Sequence, residues 1–173
     1  MPQQKIAAML EGSDRRSIGR SDEVARLVLK NPRRFRELIK CLSNENPIIR
    51  MRAADAAEKV SAMKPRLLDP HKHELLGLLA EAEQIELRWH FAAMIPRLRL
   101  APAERQRAVA ALHRYLNDRS SIVKTFALQG LADLARDDAA LRGSVKQLLD
   151  DAVQFGTPAM RARARKLLKK FPA

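Results

Sequence analysis

Apolar residues recur along this chain at intervals of three, four and seven, the spacing that lines one face of an α-helix. Four segments align on one another. They are Ile49-Arg50-Met51-Arg52-Ala53, Leu87-Arg88-Trp89-His90-Phe91, Val123-Lys124-Thr125-Phe126-Ala127 and Met160-Arg161-Ala162-Arg163-Ala164, with starts 38, 36 and 37 residues apart. Three apolar rows follow from the alignment: Ala53, Phe91, Ala127 and Ala164; Ala57, Ile95, Leu131 and Leu168; Val60, Leu98, Leu134 and Phe171. Offsets of four, eight and eleven stay within one stripe of a helix with 3.6 residues per turn, so each copy is predicted to be one helix with one buried face.

Capping residues mark where those helices begin. Asn46-Pro47 and Thr157-Pro158 each set a capping side chain before a proline at the first helical position, and Ser120 is placed to cap the third copy. Shorter amphipathic stretches, Phe35 to Leu42, Glu74 to Ala82, Ala103 to Leu116 and Leu141 to Val153, precede the copies and pair with them. Prolines in Lys64-Pro65 to Asp69-Pro70 and Leu100-Ala101-Pro102 stop helices, and Pro96 ends or bends the second copy early. Ahead of the pairs, Ser21-Asp22-Glu23 reads as a cap with acidic residues in the first turn of a helix over Val24 to Lys30. Residues 1–20 are a lead-in with room for partial disorder, a short helix around Ile6 to Leu10 and a basic loop from Asp14 to Arg20.

An aliphatic residue, then Arg or Lys, then an apolar residue three positions on, in the second helix of pairs with this period, resembles the HEAT-repeat family. The resemblance covers about Phe35 to Phe171. It implies an all-α fold, a right-handed α-α superhelix or solenoid of about four helix pairs (33–63, 71–98, 103–136 and 139–171) within a domain over 21–173, plus the N-terminal helix. It also implies that Arg50, Arg88, Lys124 and Arg161 bond neighbouring loops. The aspartate of the intervening turn is matched loosely, by Asn46, Asp118 and Glu83. Fold and function separate freely in such stacks, so architecture is all this fixes.

Second helices line the concave side of a HEAT-like stack, its usual binding surface. A helical wheel sets Met51, Trp89, Thr125 and Ala162 opposite the core stripe, with Arg52, His90, Phe126 and Arg163 on the flank. Met51, Arg52, Trp89, His90 and Phe126 are therefore expected to form a binding strip, unless Trp89 folds over Pro96 or an adjacent repeat.

Charge adds a second surface. Lys and Arg number 33 against 20 Asp and Glu, a net charge of +13 that favours polyanions and acidic proteins. From Thr157 to the end there are six cations, Arg161, Arg163, Arg165, Lys166, Lys169 and Lys170, and no carboxylate. Capping a helix C-terminus needs fewer. Arg15-Arg16 and Arg33-Arg34-Phe35-Arg36 add positive charge toward the other end.

Catalytic signatures are missing. The sequence has no Gly-rich phosphate loop and no nucleophile elbow, and His71-x-His73 has no further His or Cys at metal-ligand spacing. No cofactor or metal is expected. The single Cys41 sits on an apolar stretch and reads as a small buried thiol, which with the lack of any long apolar run points to a cytoplasmic chain that does not enter a membrane. The leading expectation is a non-enzymatic scaffold or adaptor with a protein partner, acidic by charge complementarity. Nucleic-acid binding through the basic ends and groove is the alternative. Its enzymatic form, by resemblance to HEAT-like DNA glycosylases, would use Trp89 and Asp55.

Overall fold

The computed structural model describes residues 4–172 and is helical throughout, with no strand among those residues. Two compact units divide the chain, one ending at Glu74 and the other beginning at Leu75.

In the first unit lie α1 (Ile6–Leu10), α2 (Ser21–Lys30), α3 (Phe35–Lys40) and α4 (Pro47–Met63). Shorter 3-10 segments lie at Pro32–Arg34, Cys41–Ser43 and Pro65–His71. The Asn46 side chain caps α4 by accepting from the Ile48 N–H at 2.9 Å, as the Asn-Pro pair predicts. Ser21 is not a cap. It is the first residue of α2, fully buried, and its hydroxyl donates to the Asp55 carboxylate. Asp55 also takes Lys59 Nζ at 2.6 Å, and Lys59 reaches Asp22 at 2.5 Å, so these side chains knit α2 to α4. Cys41 is buried as expected, and burial pushes its thiol up to about 11.

The lead-in is pinned to α4 by Arg52. Its guanidinium donates to the carbonyls of Leu10 (3.1 Å), Glu11 (2.6 Å), Asp14 (3.1 Å) and Ser17 (3.0 Å), which satisfies most of its five N–H groups. Gly19 makes this approach possible. Its φ is +53°, and a Cβ there would stand 2.6 Å from Arg52 Cζ. Ile6 and Leu10 on α1 are fully buried, and the Ile6 N–H is capped at 2.6 Å by the Glu37 carboxylate of α3.

The second unit takes in most of α5 (Lys72–Glu81), then α6 (Ile85–Met94), α7 (Pro102–Tyr115), α8 (Ser121–Arg136), α9 (Ala139–Phe155) and α10 (Pro158–Leu168). Here α8 packs against α6, α7, α9 and α10. Ser120 and Thr157 cap α8 and α10 from their predicted positions, accepting from Val123 N–H (3.4 Å) and Met160 N–H (3.3 Å). α6 stops at Met94 and tightens into a 3-10 turn over Ile95–Arg97 that contains Pro96. Tyr115 on α7 donates to the Leu79 carbonyl of α5 at 2.5 Å.

The predicted core rows are buried almost throughout. Ala53, Phe91, Ala127 and Ala164 are each 0% exposed, as are Ala57, Ile95, Leu131 and Val60. Burying a side chain of Val, Leu, Ile or Phe contributes roughly 1.5–3 kcal/mol, so Val60, Phe91, Ile95 and Leu131 supply most of what these rows add to stability. Only Leu168 and Phe171, at the end of the last copy, are half-buried.

Candidate binding surface

Three of the five residues of the predicted strip are not on a surface. Met51 is 8% exposed, Arg52 4% and His90 2%. The wheel assumes one buried stripe, whereas these helices are covered on more than one side. On α4 the additional cover comes from α1, α2 and the lead-in loop, which claim the Arg52 guanidinium. His90 turns inward and its Nδ1 stands 2.6 Å from the Glu86 carbonyl, so that nitrogen carries the hydrogen. Thr125, from the same predicted face, is buried with its hydroxyl on the Ser121 carbonyl at 2.7 Å.

Trp89 and Phe126 remain half-buried, and they join a ladder across three helices of the second unit. The Trp89 ring stacks on His90 at 3.4 Å between centroids and lies 5.1 Å from Phe126. On Phe126 sits the Arg163 guanidinium of α10, 5.4 Å from the ring centroid. Positions 90, 126 and 163 are equivalent in the aligned copies, so the repeat itself brings these groups together. An aromatic pair of this kind is worth about 0.5–1.5 kcal/mol and a cation over a ring about 0.5–1 kcal/mol. These contacts favour the stacked arrangement of the side chains.

Next to it lies a polar network that the sequence pattern did not single out. Arg163 Nη1 donates to Gln129 Oε1 at 3.0 Å, and Gln129 Nε2 donates to both Asp133 oxygens at 3.0 Å. Burial raises the Asp133 pKa, with the Gln129 hydrogen bond and the charges of Arg136, Arg97 and Arg163 pulling the other way. The i, i+4 spacing of Gln129 and Asp133 was the one available signal, and it is a common one.

α10 and the two residues after it carry the exposed charge. Ala164 and Leu167 face the core, while Arg165, Lys166, Lys169 and Lys170 are exposed and Arg161 and Arg163 half-buried. Among the described residues no carboxylate pairs with Arg165, Lys166, Lys169 or Lys170. Arg163 is the one member of this set that the fold brings into the ladder.

The other candidates are placed differently. Asp55 is engaged between Ser21 and Lys59 on α4, in the first unit, and Trp89 belongs to the second. Among the described residues no group of three His, Cys, Asp or Glu side chains is gathered for a metal ion, and no helix is long and apolar enough to cross a membrane. In the basic run, Arg34 is tied to Glu37 at 2.8 Å and to the Gln4 carbonyl at 2.8 Å, leaving Arg33 and Arg36 exposed beside it. No protein-family model matches the chain, and no curated protein is similar to it at a significant level.

Proposed function

We propose that the chain is a non-enzymatic adaptor, a short right-handed HEAT-like stack of about four helix pairs that holds an acidic protein partner. The observation that carries this reading is the exposed, uncompensated set of Arg165 and Lys166 on α10 and Lys169 and Lys170 just after it, in the same segment as the Arg163 that joins the Trp89–Phe126 ladder. Trp and Arg held in a stacked arrangement are the side chains that anchor protein interfaces, because little entropy is lost when a partner covers them. The 36–38 residue period and the side-by-side packing of α6, α8 and α10 support the stacked architecture. A free buried thiol at Cys41 suits a cytoplasmic setting.

The same four cations favour a second reading, nucleic-acid binding. Arg165 and Lys166 at the end of α10 and Lys169 and Lys170 in the turn that follows put four cations within six residues, a density that suits phosphate contacts. Base excision with Trp89 and Asp55 is its enzymatic form, and the engagement of Asp55 with Ser21 and Lys59 argues against it.

Affinity capture of cell proteins after nuclease treatment separates the readings, using the intact chain, Trp89→Ala and the triple variant Lys166→Glu/Lys169→Glu/Lys170→Glu. The adaptor reading expects one acidic protein to be retained by the intact chain and lost by both variants. Equal recovery by all three proteins sinks it. Duplex DNA or RNA binding that weakens steeply with salt, with no nuclease-resistant partner, moves the assignment to nucleic acid.

A further inference from the structure

We propose that the cleft between α3 and the Pro65–His71 turn binds a small organic phosphate monoester, its phosphate on Arg33, Arg36 and Lys40 and its organic part against Leu67, Pro70 and the Phe35–His71 ring pair. The cleft lies wholly within the first unit and has a volume of about 620 Å³, a size that suits a small molecule.

Three features of the cleft converge on this ligand. Its cations come from one stripe, because Arg33, Arg36 and Lys40 follow at intervals of three and four along the turn and helix. Their neighbours Arg34 and Glu37 neutralise each other, while among the described residues none of the three has a carboxylate partner. A helix C-terminus favours cations such as Lys40, but that preference does not extend to Arg33, which lies before the helix begins.

Charge then sets the class. Glu74 is the one carboxylate lining the cleft, so three cations against one anion leave two positive charges. A phosphate monoester carries about −1.5 to −2 at neutral pH and accepts from an Arg fork through several oxygens. A monocarboxylate would neutralise half of that.

The opposite wall is apolar and stiff. Pro70 and Leu67 line it, and His71 stands edge-on to the buried Phe35 with centroids 5.8 Å apart. Burial lowers the His71 pKa, Glu74 raises it and Arg36 lowers it, so His71 faces the charges of the cleft from its side wall. A dianion seated among the cations would hold its proton more tightly. That gives the site an internal reporter.

Titration calorimetry of the full chain with phenyl phosphate tests the proposal, alongside the NMR titration of the His71 ring assigned with His71→Gln. Phenyl phosphate is expected to bind and to raise the His71 midpoint. Arg36→Gln/Lys40→Gln, both exposed and with circular dichroism and melting unchanged, is expected to weaken binding by roughly tenfold or more. Lys169→Gln/Lys170→Gln, just after α10, is expected to stay within about twofold, since neither lysine lines the cleft. Inorganic phosphate should bind more weakly and phenol not at all. Absent binding, an unmoved His71, equal losses from the two charge pairs, or inorganic phosphate binding as tightly as the ester would each overturn it.

Discussion

Arg88 Nη1 and Asp118 Oδ2 stand 2.5 Å apart, joining α6 to the loop that starts α8. Both partners are oriented by further bonds. Arg88 Nε donates to the Ala82 carbonyl at 2.7 Å, in the loop that precedes its own helix, and Asp118 Oδ1 accepts from the Ser120 N–H at 2.7 Å. Arg50 repeats half of this arrangement, donating to the Asn44 and Glu45 carbonyls at 2.8 and 3.0 Å. The basic residue that follows the aliphatic one thus clamps the loop before its helix in two copies. In α6 it also reaches the loop of the next pair.

The pair makes stability depend on acid. Burial pushes the Asp118 carboxyl up, but the Ser120 N–H and the Arg88 guanidinium outweigh it and hold the pKa below its ordinary value. A depressed carboxyl contributes stability above its unfolded pKa of about 3.9, and that contribution disappears as the pH falls through the folded value. Asp118→Asn is expected to cost roughly 1–3 kcal/mol at neutral pH, since the Asp118 side chain is only 4% exposed and Arg88 loses its counter-charge. The gap from the wild type should narrow as the pH falls below the unfolded pKa and close once it passes the depressed folded value, as read by urea unfolding across the acid range. A gap that stays constant with pH would assign the loss to packing and not to the ion pair.

Arg52 replaces a surface contact with an internal one, and its removal should act on the lead-in. In Arg52→Met the four carbonyls of Leu10, Glu11, Asp14 and Ser17 lose their shared donor. Hydrogen exchange over residues 10–20 is expected to rise strongly, with a global loss of roughly 2–4 kcal/mol, because charged hydrogen bonds contribute about 1.5–3 kcal/mol each but share one side chain. Arg52→Lys should recover only part, since an ammonium lacks the planar fork. Unchanged exchange in the loop would show that α1 and its buried Ile6 and Leu10 hold the lead-in unaided.

Helices and core rows were legible in the sequence because both depend on local pattern. The caps Asn46, Ser120 and Thr157 and the fully buried Ala53, Phe91, Ala127 and Ala164 follow from spacing alone. Burial on the remaining faces depends on neighbours distant in sequence, and there the wheel failed. On α4 Met51, Ala54 and Ala56 are buried as well as the stripe, and the run of alanines was the available hint, since small side chains let a helix be approached from several sides. Arg52 looked like surface charge because no pattern links it to a loop 35 to 42 residues away. The Trp89–Phe126–Arg163 ladder lay between these extremes. Its members occupy aligned or adjacent positions, but stacking was decided by how closely α6, α8 and α10 approach.

That close approach is testable at Gly130 on α8. A Cβ there would lie 2.8 Å from the Ala92 carbonyl oxygen of α6 and 3.1 Å from Leu112 Cδ1 of α7. Leu112 can turn aside, but the Ala92 oxygen belongs to helix backbone and moves only with α6. Helix propensity alone would make Gly→Ala favourable by about 1 kcal/mol, so the two effects oppose each other. We expect the clash to win, with Gly130→Ala destabilising by roughly 1–3 kcal/mol as overpacking does. Gly143 supplies the control. It is exposed within α9, and a Cβ there meets nothing within 4 Å, so Gly143→Ala should stabilise by roughly 0.5–1 kcal/mol. Thermal and urea unfolding of the two variants should therefore move in opposite directions. If both are stabilised, α6 and α8 can separate without cost, and the aromatic ladder between them would not be the fixed surface that partner binding requires.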